Sequence, residues 1–389
     1  MGTFIKKNHS FEVGPIRPPS EARSLLIRVT RNCPWNKCAF CGVYGSEKFE
    51  IRTVEDVKKN ILAMEEIADE IRALSWKLGE GGQVGTATAM QVFENAGDYD
   101  ECRRSVAAWL HYGGESVFLQ DANSLVMKTG DLVEILRFIC ETFSSVRRIT
   151  SYCRSKTAAK KTVEEFRQLH EAGLSRIHIG METGYDPLLD FIRKGVTAAE
   201  QIEGGRRIVA AGISLSEYIM PGLGGVRWTK EHAYETARVL NQINPNFIRL
   251  RSLLVRPETP LYTLMKQGEF EPLSDEGMVK EIRLFIEHLE GIESTVVSDH
   301  ILNLLEDVEG KLPGDKEKML GVIDRYLELP EKERLIFRLG RRRGIYRKID
   351  DLYENGVLYE RLQRVVEHYL AADPGEMDRD LDGIRQNFI

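Results

Sequence analysis

A chain of 389 residues with 42% hydrophobic and 29% charged residues has ordinary globular composition and material for a sizeable core, which excludes a disordered or collagen-like chain. Its formal charge of −6 is small for this mass and argues against broad nonspecific nucleic-acid binding, which takes a strongly basic face. No apolar run nears the roughly 20 residues of a membrane span, residues 1–21 lack a signal-peptide core, and six cysteines are too few for a disulfide framework, so a cytoplasmic protein with reduced thiols is expected.

Residues 1–22 mix charge with Pro15, Pro18 and Pro19 and read as an extended lead-in. An apolar run then predicts a strand from Ser24 to Thr30, and Cys33, Cys38 and Cys41 follow within nine positions. Three clustered thiolates point to a metal site, because soft sulfur selects iron–sulfur clusters, zinc or copper(I). A structural zinc site wants four closed ligands, and the next cysteine in the chain is Cys102. A [4Fe–4S] cluster on three cysteines leaves one iron open to a substrate or cofactor. The loop stands at the carboxyl end of its strand, where β/α barrels build their active sites.

From Thr53 to Leu78 the spacing of Val54, Val57, Ile61, Met64, Ile67, Ile71 and Leu74 is helical, with Thr53 as N-cap. The glycine-rich stretch from Gly79 to Ala87 lacks the preceding strand and the Gly-Lys-Ser/Thr ending of a phosphate loop and reads as a flexible hinge or lid. Asp98 to Tyr112 predicts a helix. Strands are then expected at Ser116–Gln120, Arg147–Tyr152, Arg176–Met181, Ile213–Met220 and Phe247–Leu254, alternating with helices at Gly130–Phe143, Ala158–Ala172, Thr197–Ala211 and Lys230–Ile243. This alternation implies a parallel sheet with helices outside, and six such units make an open (β/α)6 barrel.

Past Pro272 the pattern turns helical at Met278–Glu290, Lys316–Tyr326, Lys332–Arg341 and Leu358–Tyr369. His300, at the start of a helix over Asp299–Asn303, either lines a substrate space or is a satisfied N-terminal histidine, with the second preferred. Arg341, Arg342 and Arg343 form a basic run that reads as a solvated helix face able to touch phosphate. The expected organisation is a lead-in over 1–22, a partial barrel over 23–271 with a helical insertion at about 53–112, and a C-terminal helical region over 272–389.

The cysteine loop resembles the signature of the radical SAM superfamily, with Phe40 before the third cysteine where that family carries an aromatic residue beside the adenine. The spacing here is C-x4-C-x2-C, one residue longer than the usual C-x3-C-x2-C. Gly180-Met181-Glu182-Thr183-Gly184, followed by Lys194, resembles the Elongator-, methylthiotransferase- and anaerobic-coproporphyrinogen-oxidase-like branch. Tyr218 through Gly225 resembles the fifth-strand motif, whose glycines let backbone approach the adenine. The fold implied is a partial (β/α)6 TIM-type barrel.

The implied cofactors are a [4Fe–4S] cluster ligated by Cys33, Cys38 and Cys41 and S-adenosylmethionine (SAM) chelated to the fourth iron. One electron then yields methionine and a 5′-deoxyadenosyl radical that abstracts a substrate hydrogen. The resemblance gives Gln120 and Asp121 the SAM amino group, Glu182 the ribose hydroxyls and Lys194 the SAM carboxylate. Phe40, Tyr218 and Gly222 go to the adenine side. Tyr152 and Arg154 are placed at the barrel mouth, with Arg154 reaching SAM or substrate or pairing with Glu182. A reducing partner such as flavodoxin or ferredoxin is implied. The rivals are a tRNA-modifying relative anchored by the arginine run and a non-catalytic iron–sulfur or zinc protein. A small metabolite or cofactor precursor is the favoured substrate, and nucleic acid is not.

Overall fold

The computed structural model describes residues 10–45, 47–95 and 101–387. Two compact units divide the chain. The first comprises residues up to Asn36, Val43–Ile179 and Arg207–Ser214; the second comprises Lys37–Gly42, Gly180–Arg206 and Leu215 onward. The expected helix from Asp98 begins partly outside the described residues.

In the first unit, β1 (Leu25–Arg28), β2 (Ser116–Gln120), β3 (Arg148–Cys153) and the opening of β4 (Leu174–Glu182) are parallel neighbours. Leu25 pairs with Val117 and Arg28 with Gln120. Leu25, Leu26 and Ile27 are all buried, the continuous apolar reading of a strand covered on both faces. Between β1 and β2 run α1 (Val54–Lys77), α2 (Thr86–Asn95) and α3 (Glu101–His111). The Thr53 side chain accepts from the Asp56 amide at the start of α1, which satisfies one of the orphan donors of a helix N-terminus. Val57, Ile61, Met64, Ile67 and Ile71 form the buried stripe of α1, each worth about 1.5–3 kcal/mol over an exposed position.

The stretch after α1 is not the expected hinge. The Glu80 carboxylate accepts from the amides of Gly85, Ala87 and Thr88 at 3.1–3.2 Å and from the Thr88 hydroxyl, so it caps α2. The expected helix over Ala158–Ala172 is broken after a short turn at Ser155–Ala158. Thr162 and Glu165 form a capping box that starts a new helix, α5 (Val163–Glu171), with α4 (Thr129–Thr142) before it.

Strand β4 and helix α6 (Ala198–Ala210) each run from one unit into the other, as does β5 (Ser214–Ile219). Within the second unit β5, β6 (Phe247–Leu250) and β7 (Thr295–Val297) are parallel, and β8 (Gly310–Lys311) closes antiparallel on β7. Besides α6 and two short helices at Asp186–Phe191 and Asp351–Glu354, this unit includes the helices α7 (Gly225–Ile243), α8 (Pro260–Lys266), α9 (Asp275–Glu287), α10 (Lys316–Glu328), α11 (Glu331–Arg342), α12 (Gly356–Ala372) and α13 (Pro374–Gln386). The fold class is α/β, a partial (β/α)6 barrel of TIM type with helices following it. Among the described residues no helix is long and apolar enough to cross a membrane.

The second unit corrects two expectations. Asp299–Asn303 is turn rather than helix. Two of the three residues of the basic run, Arg341 and Arg342, are buried and not part of a solvated face; Arg343 is exposed. Arg342 pairs with Asp275 at 2.6 Å and donates to the Leu302 carbonyl; Arg341 pairs with Glu306 at 2.7 Å and donates to the Asn303 carbonyl.

Candidate active site

In the first unit the strand β1 leads into a loop held by one carboxylate. Asp121 Oδ2 accepts from the Arg28 guanidinium at 2.6 and 2.9 Å and from the Asn32 amide at 2.8 Å. Asn32 takes a φ of 64° immediately before Cys33, a left-handed turn that asparagine tolerates. Burial raises the Asp121 carboxyl above its usual range, against the lowering pull of Asn32 and Arg28. Its Oδ1 is buried without a hydrogen-bond partner. Glu12 gathers Arg28 and Arg31 at 2.6 and 2.7 Å and is held low, first by its hydrogen bond to Arg31. The Asn36 amide donates to Cys33 Sγ at 3.4 Å.

Gln120 does not offer its amide to a ligand as expected. It donates to the Gly14 and Ile16 carbonyls at 3.0 and 2.6 Å and accepts from the Gly14 amide at 2.8 Å, so its polar atoms are engaged by the lead-in backbone. Asp121 accordingly acts as a support for the cysteine loop. Tyr152 packs edge-on against Phe118 and His178. The Arg154 guanidinium lies over the Trp35 ring, 5.1 Å from its centre, and the Arg154 amide donates to Asn123 at 3.1 Å.

In the second unit, the segment carrying Cys38, Phe40 and Cys41 is fixed through Ala39. The Ala39 amide donates to the Ile192 carbonyl and its carbonyl accepts from the Leu261 amide, both at 2.8 Å. Its methyl joins Leu188, Ile192, Leu223, Leu253, Leu261 and Phe270 in a buried apolar cluster, with Phe40 packed at the side. Lys194 Nζ stands 5.4 Å from the Phe40 ring centre and 2.7 Å from Glu182 Oε1. Glu182 has a φ of 66° at the end of β4. A Cβ on Gly180 would lie 2.3 Å from Glu182 Oε1 and 3.3 Å from Lys194 Nζ, so the glycine of that motif leaves the room in which this ion pair forms.

Sequence reasoning missed Glu217. It is buried on β5, its Oε2 has no hydrogen-bond partner, and its carboxyl is raised well above the ordinary range by burial first and then by Glu182, with Lys194 pulling the other way. The signal available was a charged residue inside the apolar strand Ile213–Met220. Gly222, φ 86°, donates its amide to Glu281 at 2.6 Å, and Glu281 also accepts from Thr229 at 2.6 Å. His232 completes this support: Nε2 donates to the Met220 carbonyl at 3.1 Å, and Nδ1 accepts from the Thr183 hydroxyl at 2.8 Å. Both residues lie on helices that the motif search did not cover. Tyr218 is buried, and burial raises its phenol against the nearby Arg251 and Arg249.

The donor set fits an iron–sulfur cluster. Cys33, Cys38 and Cys41 are partly exposed and in no disulfide, on a loop tied at both ends. Among the described residues no three Cys, His, Asp or Glu side chains are grouped closely enough to hold an ion, so it is donor type and spacing that name the ligands. Glu182, Lys194 and Glu217 form a mixed-charge site with one unsatisfied oxygen, suited to a ligand that carries both a carboxylate and hydroxyls.

The profile of the Radical SAM superfamily matches residues 27–238, more than half of the chain. Among curated proteins, a tRNA uridine(34) acetyltransferase of Methanocaldococcus jannaschii is 26% identical over 120 residues, 31% of this chain and 22% of that protein. The heme chaperone HemW of Bacillus subtilis is 29% identical over 143 residues, 36% of this chain and 37% of that protein. The chain thus spans about a fifth of the length of the acetyltransferases it matches. Among solved structures, methylornithine synthase (PylB) aligns with a TM-score of 0.41 at 15% identity over 72% of this chain and 66% of that one. The archaeal Elp3 of Methanocaldococcus infernus aligns at 0.38 and 16% over 47% and 48%.

Proposed function

Because the chain belongs to the radical SAM superfamily, whose enzymes use a [4Fe–4S] cluster and SAM, we propose that Cys33, Cys38 and Cys41 hold the cluster and that Glu182 and Lys194 hold SAM. Bound together, these cofactors supply a reductive cleavage that yields methionine and a 5′-deoxyadenosyl radical for hydrogen abstraction.

The observation that carries this reading is the Glu182–Lys194 pair at 2.7 Å with the buried Glu217 carboxyl, raised well above its ordinary range, interacting with both. Lys194 meets the SAM carboxylate with a charge-assisted bond, and Glu182 accepts from the ribose hydroxyls. Glu217, whose buried Oε2 has no partner in the protein, offers one hydrogen-bonding position to the ligand. Phe40 lies under the cation and faces the adenine side. Gly222, tied by Glu281, keeps backbone open where a side chain would meet Met278 Sδ at 3.1 Å. Leu223 and Leu253 with their apolar neighbours exclude water from the loop.

The substrate we favour is a small metabolite or cofactor precursor. Two of the three arginines of the run that would anchor tRNA, Arg341 and Arg342, are engaged by Glu306 and Asp275, which leaves Arg343 as its one exposed member and weakens the tRNA reading. The test is anaerobic. Protein reconstituted with iron and sulfide is reduced and given SAM, and 5′-deoxyadenosine and methionine are quantified against Cys38→Ala. Product from the wild type alone is expected, and stoichiometric zinc in place of iron refutes the assignment. A reduced four-iron protein that makes no product even with candidate substrates present also refutes it.

A further inference from the structure

We propose that Arg251, Tyr218 and His300 form a subsite that recognises a carboxylate of the substrate, which takes Tyr218, lying under the Arg251 guanidinium, away from the adenine side where the resemblance put it. This rests on the radical SAM reading and goes beyond it by naming a chemical feature of the substrate. The three residues come from the carboxyl ends of the successive strands β5, β6 and β7 of the second unit, where barrel enzymes place their ligands.

The geometry is fixed by one side chain. Asn303 accepts from the Ser252 amide at 3.0 Å and donates to the Leu250 carbonyl at 2.9 Å, bracketing Arg251 on both sides. Arg341 and Arg342 donate to the carbonyls of Asn303 and Leu302, so the turn that carries His300 is pinned beside the end of β6. The Arg251 guanidinium lies over the Tyr218 ring, 4.5 Å from its centre. The neighbouring Arg249 is neutralised by Asp299 at 2.8 Å. Among the described residues no carboxylate pairs with Arg251. His300 Nδ1 is buried without a hydrogen-bond partner.

The charge balance follows. Arg249 and Asp299 cancel, and Arg342 is matched by Asp275. Burial and then Arg251 push the His300 imidazole down to about 4, so His300 is neutral at pH 7. One partly buried guanidinium is left over, beside a ring nitrogen able to share a proton. A planar fork with a single net charge matches a monoanionic carboxylate better than a phosphate dianion. In the free protein that fork lacks the counter-ion that nearly every other buried arginine of this unit has.

The test uses the cluster-loaded protein in its oxidised state and propionate as probe, with chloride at matched ionic strength as control and inorganic phosphate as a second arm. The His300 ring resonance, assigned by its loss in His300→Asn, is titrated by NMR. Propionate at tens of millimolar is expected to raise the His300 pKa by about one unit. The shift should be absent in Arg251→Gln, weaker in Arg251→Lys, and unchanged when SAM is present at saturation. The proposal is overturned by a propionate response no larger than that of chloride, by an equal response in Arg251→Gln, or by a larger response to phosphate. Loss of the response on adding SAM would assign the subsite to SAM's own carboxylate and also overturn it. None of these readings depends on turnover, so failure here and failure of 5′-deoxyadenosine formation are separate results.

Discussion

Replacing Lys194 by methionine tests the proposed SAM site most directly. Methionine keeps most of the stem's volume and removes the cation. The pair it breaks is short, 2.7 Å, with side chains only 12% and 11% exposed, so solvent screening restores little of what is lost. A hydrogen bond to a charged group under these conditions is worth about 1.5–3 kcal/mol, which converts to a roughly 10- to 150-fold weaker SAM affinity. A second loss adds to the first. Without Lys194, Glu182 is left nearly buried with no cation beside it, which costs it the partner that holds it in place for the hydroxyls. Lys194→Met and Glu182→Gln should therefore couple, by about 1–3 kcal/mol in a double-mutant cycle. The assay is equilibrium dialysis of labelled SAM against cluster-loaded protein under anaerobic conditions, with iron and sulfide measured for each variant. A Lys194→Met protein that retains its cluster and binds SAM within about threefold of wild type, or a cycle in which the two losses simply add, refutes the reasoning.

Glu217→Gln should stabilise the protein increasingly as pH rises. A carboxyl raised in the folded state binds a proton that the unfolded chain has released above about 4.3, so its contribution is fullest below that value and is lost toward the folded pKa. Melting temperatures at pH 5 and pH 8 check this, and a variant-minus-wild-type difference that is flat or reversed contradicts it. Asp275→Asn should cost about 3–5 kcal/mol in urea unfolding, since it leaves Arg342, Arg338 and Arg385 without their shared buried carboxylate. Asp275 is held low by these arginines against burial, so the wild type should lose this stability as pH falls below about 3.9 while the variant does not. A loss under about 1 kcal/mol would show that the arginines find other partners. Ala39→Leu overpacks the cluster around Leu188, Ile192, Leu223 and Leu261 at about 1–3 kcal/mol, and iron content per chain should fall with it; full iron loading would show that the Cys38–Cys41 segment is not fixed through this residue.

The periodic elements were legible because their boundaries are written in local chemistry. Thr53 with its first-turn acids marks the start of α1 to the residue, and Asn244, at a φ of 52°, ends α7 where the apolar repeat ends. The parallel strands follow from continuous buried runs alternating with amphipathic segments. What escaped were elements whose reason lies elsewhere in the chain. The start of α2 is set by Glu80 reaching back over a glycine-rich stretch that by composition reads as a hinge. Strands β7 and β8 are too short to carry a period, and they exist because β6 offers an edge. The break before α5 was in principle readable, since Thr162 and Glu165 spell a capping box inside what looked like one helix.

The candidate site divides in the same way. Motif residues whose neighbours in sequence are also their partners in space were found: Glu182 with Lys194 twelve positions on, and the glycines that make room for them. Residues whose partners come from distant segments were read without those partners. Gln120 was expected to meet the SAM amino group, yet the lead-in, about a hundred positions earlier, engages its amide. The arginine run was taken as a solvated face, yet Arg342 holds Asp275 across 67 positions. A charged or amide side chain with no partner nearby in sequence is by default assigned to water, because sequence shows local partners and hides remote ones. The inverse error is the informative one. Glu217, Asp121 and His300 each have a buried polar side-chain atom with no hydrogen-bond partner among the described residues. A buried polar atom left alone by its own protein costs about 1–3 kcal/mol, a cost recovered when a ligand supplies the missing partner. In the second unit, two such atoms, on Glu217 and His300, stand beside the two cations Lys194 and Arg251, which is why these two places are where SAM and substrate are proposed to bind.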